Sequence, residues 1–580
     1  MPNLRLTLLA VLAACAFTHN SDAAAPGPTL APMPTIADPT VRDTVIAMQK
    51  ELQRAMSKLR LKTYEAPYFI AYGVRDYDER EVTARFGALV SHGRDHGRQA
   101  HVEIRVGDYQ LDNTSSEHEI FDLSDPDSWE PPSQATLDDD PVALRSTLWL
   151  LTDAKYKRAL ADYAKKRGRR ATAIVEDESL PSFSKEPRTT SIDTLGTVDW
   201  SEDAISARVR KASLQFRKYP ELLDATVRFS LDRVTRYITN SEGSLVVSDR
   251  VIYGVHLAAT TRAKDGMLLT HDKVFYARKS DALPDDAHIS NTVEQLAREL
   301  AALRAAPMID PYTGPAMLME EAAGVFFHET VGHRLEGERQ NDEKEGRTFK
   351  GQVGKHVLPD FLSVIDDPTT RSVGTTALNG WYTVDDEAVP ARAVTLVDRG
   401  ILRDYLKSRT PIQGSLRSNG HGRAEAANDP MGRMGNLFVR SSKRVPLAEL
   451  KKMLLDEVRK QGKPFGLIIR DLAGGSTNTS NYGYQAFKGQ LRLVYKVDAK
   501  TGEETLVRGV EMVGTPLTTV SKLIATSDTE GVFNGFCGAE SGFVPVSTVA
   551  PAVLMSEIEL QRSQRAMERP PILPPPFGEK

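Results

Sequence analysis

Residues 324–337 read Gly324-Val325-Phe326-Phe327-His328-Glu329-Thr330-Val331-Gly332-His333-Arg334-Leu335-Glu336-Gly337. They lie in a helical pattern that begins after Pro315, with Met317, Leu318, Ala322, Val325 and Phe326 as its apolar positions. His328 and His333 are two imidazoles from a chain that has 12, and Glu329 directly follows the first. Two neutral imidazoles and a third protein ligand make a standard catalytic zinc set, with one position left for water. A metal lowers the pKa of that water, and a carboxylate beside it takes the proton. Glu329 is the candidate base. The alternative is two unrelated histidines on an ordinary helix.

The spacing is unusual. Zinc-protease histidines commonly stand at i and i+4, on one helix face. Here they stand at i and i+5, which on a regular helix separates them by roughly 140°. Both reach one metal only if the helix widens or breaks between them. A π-type turn at Thr330 to His333 is the expectation, with Gly332 as the residue that permits it.

Working outward, Ser290 to Ala306 is an amphipathic helix with Val293, Leu296, Leu300 and Leu303 inward, and Asp310-Pro311-Tyr312-Thr313-Gly314-Pro315 breaks it. The main domain boundary falls there. The fold class is α+β: an N-terminal α/β domain over 39–309, then a β-rich C-terminal domain over 310–565 carrying the motif helix near its start. In the first part Asp38 reads as an N-cap with Pro39 at the first helical position, followed by an apolar face of Val41, Val45, Met48, Leu52, Met56 and Leu59. Alternation marks strands at Tyr68 to Tyr72, Val82 to Val90 and Val102 to Val106, and a hairpin over Thr226 to Val247 turning at Asn240-Ser241-Glu242-Gly243. Lys155 to Arg170 is a basic helical stretch, read either as an anion or membrane-surface site or as a solvated face. In the second part Ala393 to Val397 and Ile401 to Leu406 form a hairpin across Gly400, and Phe465 to Leu472 and Gln490 to Val497 are further strands. Residues 566–580 form a Pro-rich tail, expected to be extended and outside the chemistry.

The N-terminus reads as an export signal. Arg5 precedes an apolar run from Leu6 to Phe17, too short to span a membrane. Cleavage after small residues gives a leader of 1–23. Alternatively Leu12-Ala13-Ala14-Cys15 is a lipoprotein signal, and Cys15 would carry a lipid anchor. Residues 24–38 form a Pro-rich tether. The expected location is the periplasm or cell envelope of a bacterium. Only Cys15 and Cys537 are present, so a disulfide framework is excluded. Cys537 is then the lone thiol of the mature chain. In Asn534-Gly535-Phe536-Cys537-Gly538, read as turn-like, it is either a small buried hydrophobe or a thiolate facing a metal. Lys and Arg total 74 against 78 Asp and Glu, a balance that gives no argument for nucleic acid.

These residues resemble the TldD/PmbA metallopeptidases, whose hallmark is His-Glu-x-x-x-His. The resemblance continues in Tyr382-Thr383-Val384-Asp385-Asp386-Glu387 with Val389-Pro390, in Gly400-Ile401-Leu402, and in Pro430-Met431-Gly432-Arg433-Met434-Gly435-Asn436. It runs on through Leu472-Ala473-Gly474-Gly475 and the closing block from Val507 to Val546. It covers residues 220 to 560. It implies a zinc ion held by His328, His333 and Cys537, with Glu329 as the base. It also implies unfolded or modified peptides bound in extended form within a dimer, either of identical chains or of a catalytic chain with a related partner. Two departures stand out: the export signal, and Ser418-Asn419-Gly420-His421-Gly422-Arg423, where His421 either touches substrate or lies in a polar loop.

A structural envelope protein is the competing class, with the metal merely joining two parts of the domain and Glu336 as a fourth ligand. A metal-dependent amidase acting on cell-wall material is the third. A thiolate with two imidazoles favours zinc over iron or manganese.

Overall fold

The computed structural model describes residues 34–61, 63–114, 131–172, 179–342, 348–479, 487–563, 567–573 and 575–578. The leader, Cys15 and the tether up to residue 33 lie outside them. Helix α1 (Pro39–Lys58) starts as its sequence requires: the Asp38 carboxylate accepts the amides of Thr40 and Val41, and Val41, Val45, Met48 and Leu52 are buried. The strands β1 (Pro67–Arg85) and β2 (Ala88–Val106) form a long antiparallel hairpin. Its turn is Phe86-Gly87, both at positive φ, so one alternating run of sequence supplies two strands. Helices α2 (Pro141–Thr172) and α3 (Glu202–Leu214) follow, then β3 (Leu222–Asn240), β4 (Leu245–Arg262) and β5 (Leu268–Ala277).

The sheet order is β2-β1-β3-β4-β5, these five antiparallel, with a short antiparallel edge strand at Gln134–Ala135 and a short parallel one at Thr190–Ile192. One face is covered by α1 and α2 over Ile70, Tyr72, Val102 and Tyr237. Helix α3 and helix α4 (Asp286–Ala305) cover Val82, Val227, Phe229 and Val255 further along.

Among the described residues the second half is built on one sheet of 12 strands, with two short two-stranded ribbons beside it. Its central members are β6 (Tyr312–Leu318), β7 (Phe465–Thr477), β8 (Phe487–Asp498), β9 (Leu523–Ala539) and β10 (Gly542–Arg562). The long strand β10 pairs antiparallel with β9, with β6 and with Val510–Gly514, and parallel with Asn436–Ser441. Period-two alternation then divides the side chains. Leu318, Leu467, Ile469, Val553 and Met555 face helix α5 (Glu320–Thr330), and Met317, Ile468 and Leu554 face helix α6 (Leu447–Lys460). Every residue of α5 from Ala322 to Thr330 is buried, as a helix apolar all round must be.

The halves are joined by arginines. Arg75 reaches Asp386 at 2.7 Å, Arg236 bonds Asp386 and the Val384 carbonyl, and Arg409 lies over the rings of Phe69 and Phe183 while bonding Glu242 at 2.8 Å. The Pro-rich tail returns to the first half, where Phe577 packs on Phe86 and Glu568 pairs with Arg262 at 2.9 Å.

Candidate metal centre

The motif helix ends where its two histidines require. Helix α5 stops at Thr330, Val331 sits at φ −115° and ψ −50°, and Gly332–Leu335 form a 3-10 turn. The irregularity falls within the expected residues, but it is a termination followed by tightening, not a π-type widening. The reason is a cap. The carbonyls freed at the helix end are taken up by Arg334, whose Nη1 donates to Glu329 O at 2.9 Å and Thr330 O at 3.4 Å. The role of Gly332 also differs from the expectation. Its φ is not positive; a Cβ there would collide with the Met434 thioether. The glycine provides closeness, not conformational freedom.

The broken helix turns His333 back toward His328, and their rings stand at 86° with centroids 5.0 Å apart. The third group comes from 204 residues downstream of His333: Cys537 Sγ lies 3.4 Å from His333 Nε2 and 3.2 Å from His328 Nε2. Among the described residues this is the one group of three or more His, Cys, Asp or Glu with ligand atoms all within 4.8 Å. Ligand atoms on a tetrahedral zinc, with bonds of about 2.0–2.3 Å, stand about 3.5 Å apart. The trio fits such an ion in spacing and in donor chemistry. The segment Asn534–Gly538 is not a turn. It lies inside β9, with Cys537 paired to Val544, and the reversal comes after Ala539.

Burial works against a charged thiol at Cys537, yet the adjacent His333 and His328 outweigh it and hold the pKa well below the usual thiol range. Burial likewise opposes charge on His333, but Cys537 and Glu336 raise its pKa well above that of an ordinary histidine. The pair is poised as a thiolate beside an imidazolium, from which a metal displaces protons.

Glu336 is not a fourth ligand. His333 turns Nε2 to the thiol and Nδ1 to Glu336 Oε1 at 3.2 Å, so the carboxylate stands behind the ring. It orients the imidazole, as carboxylates behind metal-bound histidines do. Burial opposes its charge, but His333, Arg339 and Arg433 hold Glu336 far below the usual carboxylate range. Arg433, fully enclosed, has Nε 3.3 Å from Glu336 Oε1 and donates from Nη2 to the Cys537 carbonyl at 2.7 Å. One guanidinium thus touches the orienter of one ligand and the backbone of another. Arg339 extends the chain, binding Glu336 at 2.8 Å and gripping Glu540 with both Nη atoms at 2.9 and 2.8 Å. None of Glu336, Arg339 or Arg433 is assigned this role from sequence. A carboxylate three residues past a ligand histidine was the signal available for Glu336.

Glu329 occupies the last turn of α5 and is 8% exposed. Strand β7 passes so close that a Cβ on Gly475 would meet Glu329 Cγ at 2.5 Å, and Phe487 completes that wall. Phe533 borders the other side, its ring 6.2 Å from His328. His421 lies in a polar loop, as one of its two readings had it, but the loop is an interior one. The histidine is wholly buried, with Nε2 3.2 Å from Asp366, which also accepts the amides of Gly435 and Asn436. The basic stretch of α2 has an inward side of Tyr156, Ala159 and Leu160, and Lys157 pairs with Asp153 one turn away.

The comparisons agree with this geometry. The PmbA/TldA metallopeptidase C-terminal domain matches residues 311–562. A metalloprotease of Methanocaldococcus jannaschii is 30% identical over 265 residues, 45% of this chain and 53% of its own length. A zinc metalloprotease TldD homolog of Saccharolobus solfataricus is 23% identical over 253 residues, 42% of this chain and 51% of that protein. The chain therefore spans about half the length of the curated relatives it matches. The crystal structure of TldE from Thermococcus kodakarensis superimposes with a TM-score of 0.56 at 13% identity, covering 89% of this chain and 100% of that one, which extends the likeness in fold to both halves. The stretch 311–562, which is similar to the PmbA/TldA metallopeptidase C-terminal domain, encloses the histidines, the glutamate and the cysteine.

Proposed function

We propose that this chain is a zinc-dependent peptidase acting on unfolded or modified peptides. The observation that carries the reading is the convergence of His328 Nε2, His333 Nε2 and Cys537 Sγ from elements far apart in sequence, with Glu329 next to the first of them in the chain. Bound there, zinc would supply the Lewis acidity that brings a water toward ionisation near neutral pH. The chain's own groups do the rest. His328, His333 and Cys537 hold three positions. Glu336 accepts from His333 Nδ1, fixing the tautomer that leaves Nε2 free to ligate. Glu329, one residue past the first ligand, takes the proton of the attacking water and returns it to the leaving amine. The enclosing Gly475 backbone and Phe487 ring keep bulk water from that carboxyl. The structural-metal alternative needs a closing fourth ligand, and Glu336, its candidate, lies behind the His333 ring.

The reading includes an extended peptide substrate, a dimer and a location in the cell envelope, with membrane attachment only through Cys15; support for these is the family resemblance and the N-terminal sequence. The test is metal content and turnover on unfolded chains together. Wild-type protein should hold about one zinc and cleave casein-like peptides. Glu329→Gln should keep the zinc and lose about 10²–10⁴-fold in turnover, the range for a positioned base. Full activity in that variant overturns the mechanism, and wild-type protein without zinc overturns the reading.

A further inference from the structure

A cavity of about 470 Å³ lies between the two halves, away from the histidines and the cysteine. Its lining is mainly apolar, from Leu269, Leu303, Leu491, Val494, Val507 and Val510. That volume falls in the range of ligand pockets, about 300–1,000 Å³. Its origin is a parted sheet. Strand β8 pairs with Val510–Gly514 as far as Gly489↔Met512, and with Glu504–Val507 from Val494↔Val507 onward. Between these ladders the covering chain turns away. Arg508 pairs its backbone with Pro307 and Ile309, and the Gly509 carbonyl takes the Ser563 amide. Among the described residues, nothing pairs with that edge of β8 from Gln490 to Leu493. In an antiparallel strand every second residue turns its N–H and C=O to a given side, so this stretch presents main-chain donors and acceptors to the cavity. Such groups call for partners.

The charges at the rim indicate what kind of partner. Arg262 is paired with Glu568, Arg492 with Asp471 at 2.7 Å, and Arg508 with Asp265 at 2.8 Å. With its arginines paired, the cavity does not select an anion; the remaining charged group of its lining, Glu511, accepts from the Gln561 side-chain amide. The cavity offers strand-type hydrogen bonds between apolar walls, which suits an extended, uncharged polypeptide segment. Four residues of β8 span about 13 Å, room for three or four residues of a guest strand. The same strand begins at Phe487, the ring beside Gly475 and Glu329, so the cavity lies on an element that leads from the proposed catalytic wall.

We infer that the opening beside Gln490–Leu493 is a second binding site that holds an extended, apolar stretch of the polypeptide substrate at a distance from the bond being cut. This rests on the peptidase reading. Gln490→Trp and Thr270→Trp place a large ring in the cavity from positions that are exposed, where the fold tolerates it. The zinc-loaded variants should show KM raised at least fivefold for an unfolded peptide of about 20 residues, with kcat/KM for a four-residue peptide unchanged. In parallel, fluorescence anisotropy of a labelled 20-residue apolar peptide should report at least fivefold weaker binding to each variant. Equal loss on long and short peptides, or wild-type binding by the variants, overturns the inference. If the wild type cleaves nothing, the peptidase reading fails, and the anisotropy comparison still decides the site.

Discussion

Two clusters of buried charge lie in the second half, and they are built oppositely. Around Glu336 each acid faces cations: burial opposes its charge, but His333, Arg339 and Arg433 together keep it ionised. Around Asp385-Asp386-Glu387 only the middle residue is so served. Arg236 and Arg75, from the first half, overcome the burial of Asp386 and hold its pKa far below the usual range. Burial lifts Asp385 to about 7 against the pull of the Val389, Gly422 and Glu387 amides, and Asp386 adds to the lift. Glu387 is pushed well above the carboxylate range by burial, Asp385 and Glu103, with Arg409 opposing. Burial is common to both clusters. What differs is the count of cations, and it decides which acids stay charged. The balanced cluster holds His333 in place. The acid-rich one joins the two halves.

The contrast can be broken at its strongest point first. Asp386→Asn leaves Arg75 and Arg236 enclosed without their anion, and should destabilise the chain by about 3–5 kcal/mol in denaturant titration. An undiminished midpoint would mean the junction is hydrated and cheap to alter. Next, Glu336→Gln takes the negative charge from the acceptor that fixes His333 while leaving His328, His333 and Cys537 in place. Zinc affinity, read by competition with a chromophoric chelator, should fall about 10–100-fold. The smallest effect sharpens the comparison. Because Asp385 and Glu387 have folded pKa values above their unfolded ones, their stabilising contribution is complete below about pH 4 and is lost as pH rises toward 7 and beyond. Wild-type melting temperature should therefore decline from pH 6 to pH 8, and Glu387→Gln should flatten that decline. Each displaced unit of pKa is worth about 1.4 kcal/mol. Parallel pH profiles for the two proteins would show that Glu387 is not held protonated.

Much of this was legible in the sequence for a physical reason. Helix α1 announces itself because it buries one face, and burial of one face leaves a period; the same alternation made Val82 to Val90 read as one strand, whereas the chain reverses there at Phe86-Gly87. The His328, Glu329 and His333 grouping is visible because its members are close in sequence. The resemblance to a known family added Cys537, which composition alone left as either a hydrophobe or a ligand. Three things were hidden. The glycines around Cys537 suggested a turn, yet Gly535 accommodates the Phe533 ring within a strand. The kind of break after Thr330 depends on Arg334 reaching back to the carbonyls, a contact with no periodicity. Arg433 and Arg339 act through tertiary partners about 100 and 200 residues away, Cys537 and Glu540, which no local pattern encodes.

The third member of the candidate metal group is made long after the first two. His328 and Cys537 are separated by 209 residues, and β9 is held in place by β10, which ends at Arg562 in a chain of 580. During synthesis a nascent chain can fold its first half while the second is still being added. The two histidines then wait, without their thiolate, until the 209 residues from His328 to Cys537 have been added. A chain that stops short of Cys537 therefore cannot assemble the candidate metal group, whatever the state of its first half.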